Sequence, residues 1–366
     1  MHIRLLDRYI FREVFFTFLF GIAAFTTVFV GSGTLFRIAQ YMTEYGASLT
    51  SCIKIFVLSL PGAIIWTFPM SMLLGTLLAF GRLSGSSEIT AMKSCGVSFW
   101  RIAAPGLILG LIVSFFAVWF NEYIVPWSNE AYTRVLNYEI RGNTAPKSQD
   151  HIILKDIKGG VINRLIYARR YDASKEQMQN ITMQLFENGK VSHVENAEYA
   201  EWKDGTWTMH QGVIYDIPKE EGAAQHLMHF DTQLLPINDS PRQIVRAQKR
   251  PEEMTIRELR QTIKVLKGQF VNSRKMEAEL HQRFTVPFAS FIFALVGIPL
   301  GLQPNRAASS SRGFALSIVI IFIYYSFMTM GSAFAQGGTM PAMLAVWIPN
   351  IVGLIAGVYL MWKASR

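Results

Sequence analysis

Charged residues are scarce in this chain: 17% of its 366 residues are Asp, Glu, Lys or Arg, against 51% hydrophobic. A globular domain carries about a quarter charged residues, so part of this sequence is solvated by something other than water. Cysteine is rarer still. Cys52 and Cys95 are the whole supply, which excludes a disulfide framework and a four-cysteine zinc site. The short motifs of common chemistries are missing as well. There is no GxxxxGK[ST], HExxH, GxSxG or CxxC, hence no phosphate-binding loop, zinc-protease helix, serine elbow or dithiol. His226 and His229 stand three apart in a segment that reads as a strand, which puts them on opposite faces. They read as two surface histidines. No catalytic residue, metal site or cofactor is expected, and the chain is not expected to be an enzyme.

Charge is absent altogether from six stretches, residues 14–36, 55–80, 102–120, 284–302, 313–335 and 340–362. A bilayer core takes about 20 helical residues, and a soluble helix needs a polar face. Six transmembrane helices follow. The first stretch is longer than the apolar run of a cleavable signal, roughly 7–15 residues, and reads as a retained helix. Pro61 and Pro69 predict kinks in the second span, and Pro341 and Pro349 interrupt the sixth. The spacings Gly106 to Gly110, Gly297 to Gly301 and Gly353 to Gly357 permit close helix approach, within the chain or between subunits.

What charge there is lies largely between the third and fourth spans. Strands are expected at 151–155, 164–170, 180–186, 206–216 and 225–235, separated by turns such as Lys158-Gly159-Gly160, Glu187-Asn188-Gly189 and Lys203-Asp204-Gly205. From Pro251 a helical period begins, with Ile263 and Leu266 on one face. The expected fold is a membrane α-helical protein with an inserted β domain, six transmembrane helices (3+3) flanking a β-jellyroll-like domain. Its divisions are 1–125 (three spans), 126–250 (β domain), 251–283 (helical connector) and 284–366 (three spans).

The net charge of +9 is mostly topology. Residues 126–283 are nearly balanced, with 23 basic and 21 acidic residues. If the spans alternate, Arg4, Arg8, Arg12, Arg82, Lys93, Arg101, Arg306, Arg312, Lys363 and Arg366 share one side, and only Arg37 and Lys54 fall opposite. Short loops rich in Lys and Arg stay in the cytoplasm. Both termini are then cytoplasmic and the β domain lies outside. Nucleic acid is not an expected partner.

Between the second and third spans a short cytoplasmic helix is expected over about 86–96. Ser86 is placed as its N-cap, Glu88 in its first turn and Gly96 at its end, with Ile89 and Met92 on one face. The string Gly81-Arg82-Leu83, then Ser87-Glu88-Ile89-Thr90-Ala91-Met92-Lys93-Ser94-Cys95-Gly96-Val97-Ser98, resembles the permeases of the lipopolysaccharide-export transporter, the LptF/LptG family. Arg8-Tyr9, Gly297-Ile298-Pro299-Leu300-Gly301 and Gly313-Phe314-Ala315-Leu316-Ser317 extend the resemblance over both membrane halves. It implies an inner-membrane permease that extracts lipopolysaccharide from the outer leaflet and passes it to a periplasmic bridge protein. The implied partners are a second permease of the same family and a cytoplasmic ATPase dimer that binds the ATP. By resemblance, Ser87, Glu88, Ile89 and Met92 form the ATPase-coupling element. Arg37, at the outer end of the first span, alone reads as a snorkelling anchor; the resemblance implies that it meets the phosphorylated sugars of the lipid. Lys54 and Arg283 are further lipid-binding candidates, with snorkelling the plainer account of both. The alternatives are a permease of another envelope-lipid or lipoprotein ABC system, and a membrane enzyme acting on envelope lipid. The sequence does not separate an F-type from a G-type or self-pairing subunit.

Overall fold

The computed structural model describes residues 5–141, 149–158, 161–172, 175–187, 190–203, 205–216, 227–235, 237, 249–268, 272–302 and 310–366. Arg4, His226 and Arg306, and the centres of the turns at Gly159, Asn188 and Asp204, lie outside them. The chain forms two compact units, Met1–Gly142 with Arg250–Arg366, and Asn143–Lys249.

The first unit is helical. Helix α1 (Leu5–Phe29) passes through a π-turn (Val30–Thr34) into α2 (Leu35–Tyr45). Then come α3 (Leu49–Gly85), the short α4 (Glu88–Ser94) and α5 (Phe99–Val135), which ends in a second π-turn (Leu136–Ile140). After the β unit in sequence, a 3-10 turn (Pro251–Glu253) leads to α6 (Ile256–Gly268), α7 (Arg274–Gly301), α8 (Ser310–Gly337) and α9 (Ala342–Ser365). Among the described residues, six helical segments are long and apolar enough to cross a membrane, matching the six uncharged stretches. The first four run well past those stretches. The third continues to Ile140, so the division drawn at residue 126 falls inside α5. Pro126 does not stop it, and Asn121, Glu122 and Asn129 find helical partners rather than a loop's solvent.

Helix α3 is the hub of this unit. Helix α1 lays Ile10, Val14, Phe18 and Gly21, a stripe of period 3.6, against it. The approach is close enough that a Cβ on Gly21 would sit 3.0 Å from the Ser71 Cα. Pro61 and Pro69 both lie within α3. Hydroxyls of neighbouring helices reach carbonyls beside them: Ser128 donates to Leu58 O at 2.6 Å, and Tyr325 to Trp66 O at 2.8 Å. A membrane helix needs such partners, because lipid supplies none. Pro341 precedes α9 instead of interrupting it, and Pro349 sits within. All three predicted glycine pairs face neighbouring helices of this chain: α5 against α7, α7 against α3, and α9 against α7. Their role is packing inside the chain.

The second unit holds one antiparallel sheet of β1 (Gln149–Lys158), β2 (Val161–Asp172), β3 (Gln177–Glu187), β4 (Lys190–Lys203), β5 (Thr206–Asp216) and β6 (Leu227–Leu235). Neighbours in sequence are neighbours in the sheet, so the jellyroll-like expectation takes the form of an up-and-down meander among the described strands. Strand β4 was not expected. Glu195, Glu198 and Glu201 give it a loop's polarity, yet it pairs along its length with β3 and β5. Ile152, Ile166, Met183, Ala197, Trp207, Met209 and Leu235 make the core of this unit.

One rung of this sheet is irregular from edge to edge. The register runs on unchanged past Arg169, Asn180, Glu198, Gln211 and Asp231, but no pair forms at that rung. Asn180 and Gln211 have positive φ, 49° and 52°. All five side chains are exposed, and the buried positions of β3, β4 and β5 change parity across the rung. A residue lifted out of the ladder bends its strand and reverses which side chains face inward. Aligned over the sheet, these residues form a transverse crease.

Candidate functional site

The turn between α3 and α5 is built around α4. Ser87 stands at its head with φ 60°, and the helix begins at Glu88. The cap expected at Ser86 is therefore one residue out. Ser86 Oγ instead donates to Glu88 Oε1 at 2.8 Å. Tyr9 Oη donates to Glu88 Oε2 at 2.9 Å, so both carboxylate oxygens are held. Gly96, with φ 80°, closes the turn as expected, its N–H bonded to Lys93 O.

Ile89 and Met92 do share a face, and that face points inward. Ile89 is 5% exposed and belongs to a cluster with Ile10, Leu83, Phe99 and Ile102, against which Met92 packs. Within this fold they are the residues that seat the helix. Its apolar side is taken up by the chain's own core. The outward surface is Ser87, Thr90, Ala91, Lys93 and Ser94, with Glu88 at its edge.

The opposite end of the bundle holds the three basic candidates, in three different situations. Arg37 is exposed near the start of α2, beside the Tyr132 hydroxyl, which pairs with that of Tyr41. Lys54 is bound to Glu139 at 2.8 Å, and Ser51 holds the other oxygen of that carboxylate. Arg283 is not at a helix end at all. It lies inside α7 with its side chain 3% exposed, donating to Asn121 O (3.2 Å) and Pro251 O (3.0 Å), with Glu279 at 3.9 Å. It neither snorkels nor offers its guanidinium to a lipid, because α7 extends N-terminally to Arg274 and the Pro251–Glu253 turn covers it. That turn is pinned to α5 by Asn129 on Glu252 O and Thr133 on the Glu253 carboxylate. Glu122 accepts the Ile256 N–H at 2.8 Å.

A groove of about 530 Å³ lies between α1, α3 and α8, lined by Phe25, Phe29, Trp66, Met70, Phe322 and Tyr325 among others. The aromatic content of the first span was visible in the sequence; its meeting with Trp66 and Phe322 was not. Among the described residues no cluster of His, Cys, Asp or Glu is arranged to hold a metal.

Among the described residues the chain combines six long apolar helices, a sheet inserted in sequence after the third and a seated helix at the α3–α5 turn. The family model for the lipopolysaccharide export system permease LptF/LptG matches residues 8–363. The chain belongs to this family. Among curated relatives it is 22% identical to the lipopolysaccharide export system permease protein LptG of Haemophilus influenzae, over 100% of this chain and 99% of that one. To LptG of Escherichia coli K12 it is 20% identical, over 98% of each. To LptF of Escherichia coli K12 it is 22% identical, over 80% of this chain and 78% of that one. Identity is alike for both kinds, so the comparison gives the family. As an LptF/LptG permease, the chain is a multi-pass inner-membrane protein of lipopolysaccharide transport, with a second permease of its family as partner.

Proposed function

We propose that this permease takes lipopolysaccharide from the outer leaflet of the inner membrane and passes it to a periplasmic bridge protein. A separate cytoplasmic ATPase dimer, which binds the ATP, drives the step, and this chain needs no cofactor of its own. The observation that carries the reading is α4. A seven-residue helix is too short to hold itself, yet Ile89 and Met92 seat it, and Glu88 stands at its head with both oxygens fixed. Ser87, Thr90, Ala91 and Ser94 are the surface offered to the ATPase. The charge distribution supports an orientation with α4 and both termini in the cytoplasm and the sheet in the periplasm. The groove between α1, α3 and α8 suits acyl chains, being lined mainly by apolar and aromatic side chains. Arg37 suits the phosphates of the headgroup, since a guanidinium pairs with phosphate in two hydrogen bonds.

Purification of the tagged permease pair with its ATPase tests this. Glu88→Ala is expected to lower ATPase recovery about tenfold, the size of a lost hydrogen bond to a charged group, while the permease stays inserted. Full recovery would remove Glu88 from docking. Mass spectrometry of the co-purified lipid is expected to find lipopolysaccharide; a lipoprotein or another envelope lipid in its place would favour a different ABC export system.

A further inference from the structure

Helix α1 opens with three polar contacts, each to the end of a different element around the α3–α5 turn. Asp7 pairs with Arg101 at the start of α5, at 2.8 Å. Tyr9 donates to Glu88 at the head of α4. Glu13 pairs with Arg82 near the end of α3. Between them Ile10 and Val14 are fully buried in the cluster that also seats Ile89. The two ion pairs are partly exposed, and such pairs contribute little to stability. The Tyr9 bond differs in what it holds. It fixes one oxygen of the carboxylate proposed to dock the ATPase.

We infer that Tyr9 is a positioning residue for ATP-driven transport: its hydroxyl orients Glu88 for the ATPase and ties α4 to α1. This deepens the reading of Glu88 as the docking residue and rests on it. The chemistry is that of preorganisation. A glutamate on a short, exposed helix loses side-chain freedom when a partner orders it, and that loss weakens binding. Tyr9 and Ser86 order it beforehand, one hydroxyl on each oxygen. Each carboxylate oxygen has two lone pairs, so both can still accept hydrogen bonds from a cationic side chain of the ATPase. The same bond gives a route for movement. A displacement of α4 pulls on Tyr9, in the second turn of α1, whose buried stripe continues through Phe18 and Gly21 along α3.

The plainer account is that Tyr9 merely packs α1 in place, and a double-mutant cycle separates the two. Tyr9→Phe removes the hydroxyl and keeps the ring. In the full complex it is expected to lower ATPase recovery about three- to tenfold, as for one hydrogen bond, and to add no further loss in a Glu88→Ala background, where no acceptor is left for the hydroxyl. Unchanged recovery, or the same fold-loss in both backgrounds, would overturn the proposal. The same cycle run on thermal unfolding of the permease pair alone, without ATPase, keeps the two readings apart. If Glu88→Ala leaves recovery intact, the docking reading fails. Coupling between Tyr9 and Glu88 in the ATPase-free cycle would then show that the bond exists without serving docking, and the positioning role would fall with it.

Discussion

Three basic residues at one end of the helical bundle show how environment decides what a charge can do. Arg37 is exposed with its guanidinium beside a tyrosine hydroxyl, Lys54 is tethered to Glu139, and Arg283 is enclosed. Of the three, Arg37 is the one we propose to meet an anionic headgroup directly. Arg283 does a different job. Its guanidinium satisfies the carbonyls of Asn121 and Pro251, joining α5, α7 and the turn that begins the last third of the chain. Pro251 O keeps the Met254 N–H when the guanidinium is removed, so the cost is that of the lost charged hydrogen bonds, about 1.5–3 kcal/mol each. Arg283→Met is therefore expected to lower stability by about 2–4 kcal/mol, read as thermal unfolding of the detergent-solubilised chain, with lipid contact unaffected in the folded fraction. Arg37→Glu is expected to do the reverse. Photo-crosslinking to lipopolysaccharide should fall several-fold, Arg37→Lys should largely retain it, and the unfolding temperature should not move. Equal crosslinking in the two Arg37 variants would return that residue to the role of an interfacial anchor.

At the scale of elements, the crease in the sheet is the feature that local sequence hides best. It exists because five residues on five strands, Arg169, Asn180, Glu198, Gln211 and Asp231, come to one rung. No window of the sequence contains more than one strand's part of it. Gln211 bears the local strain, since a left-handed conformation costs a residue with a Cβ about 1–2 kcal/mol. Gln211→Gly is expected to be neutral or to stabilise by up to about 1 kcal/mol, the relief being offset by the greater freedom of an unfolded glycine. Gln211→Val, β-branched and poorly suited to positive φ, is expected to destabilise by about 1–2 kcal/mol. Thermal unfolding that ranks Val level with Gly would show that the crease does not depend on this conformation. The same logic explains what was legible beforehand. The six spans could be read because lipid forbids charge over a whole helix length. The extension of α5 past residue 126 could not, because Asn121, Glu122 and Asn129 look like loop until their partners on a distant segment are known. Strand β4 was missed because its glutamates mask a ladder that two neighbours supply. For α4 the periodicity correctly put Ile89 and Met92 on one face, but periodicity is silent on whether a face meets a partner or the chain's own core.

For the whole molecule, the decisive quantity is which side of the membrane α4 occupies, because docking on a cytoplasmic ATPase requires the cytoplasmic one. Ten of the twelve basic residues outside residues 126–283 share that side if the spans alternate, and such a bias sets orientation. The chain carries its own reporters for the question. Cys95 is exposed at the end of α4, and Cys52 is buried in α3. A membrane-impermeant maleimide is expected to leave Cys95 unlabelled in sealed spheroplasts and to label it once the inner membrane is permeabilised. Cys52 should react only after denaturation, and a Cys52→Ser variant assigns the signal. Co-expression of the ATPase should then slow labelling of Cys95 several-fold in permeabilised cells, since Cys95 follows directly on the surface assigned to docking. Labelling in sealed spheroplasts would invert the topology, and the docking surface and the role of Tyr9 would go with it. Cytoplasmic labelling that the ATPase does not slow would keep the orientation and move the docking surface away from the C-terminal end of α4, towards Ser87 and Glu88.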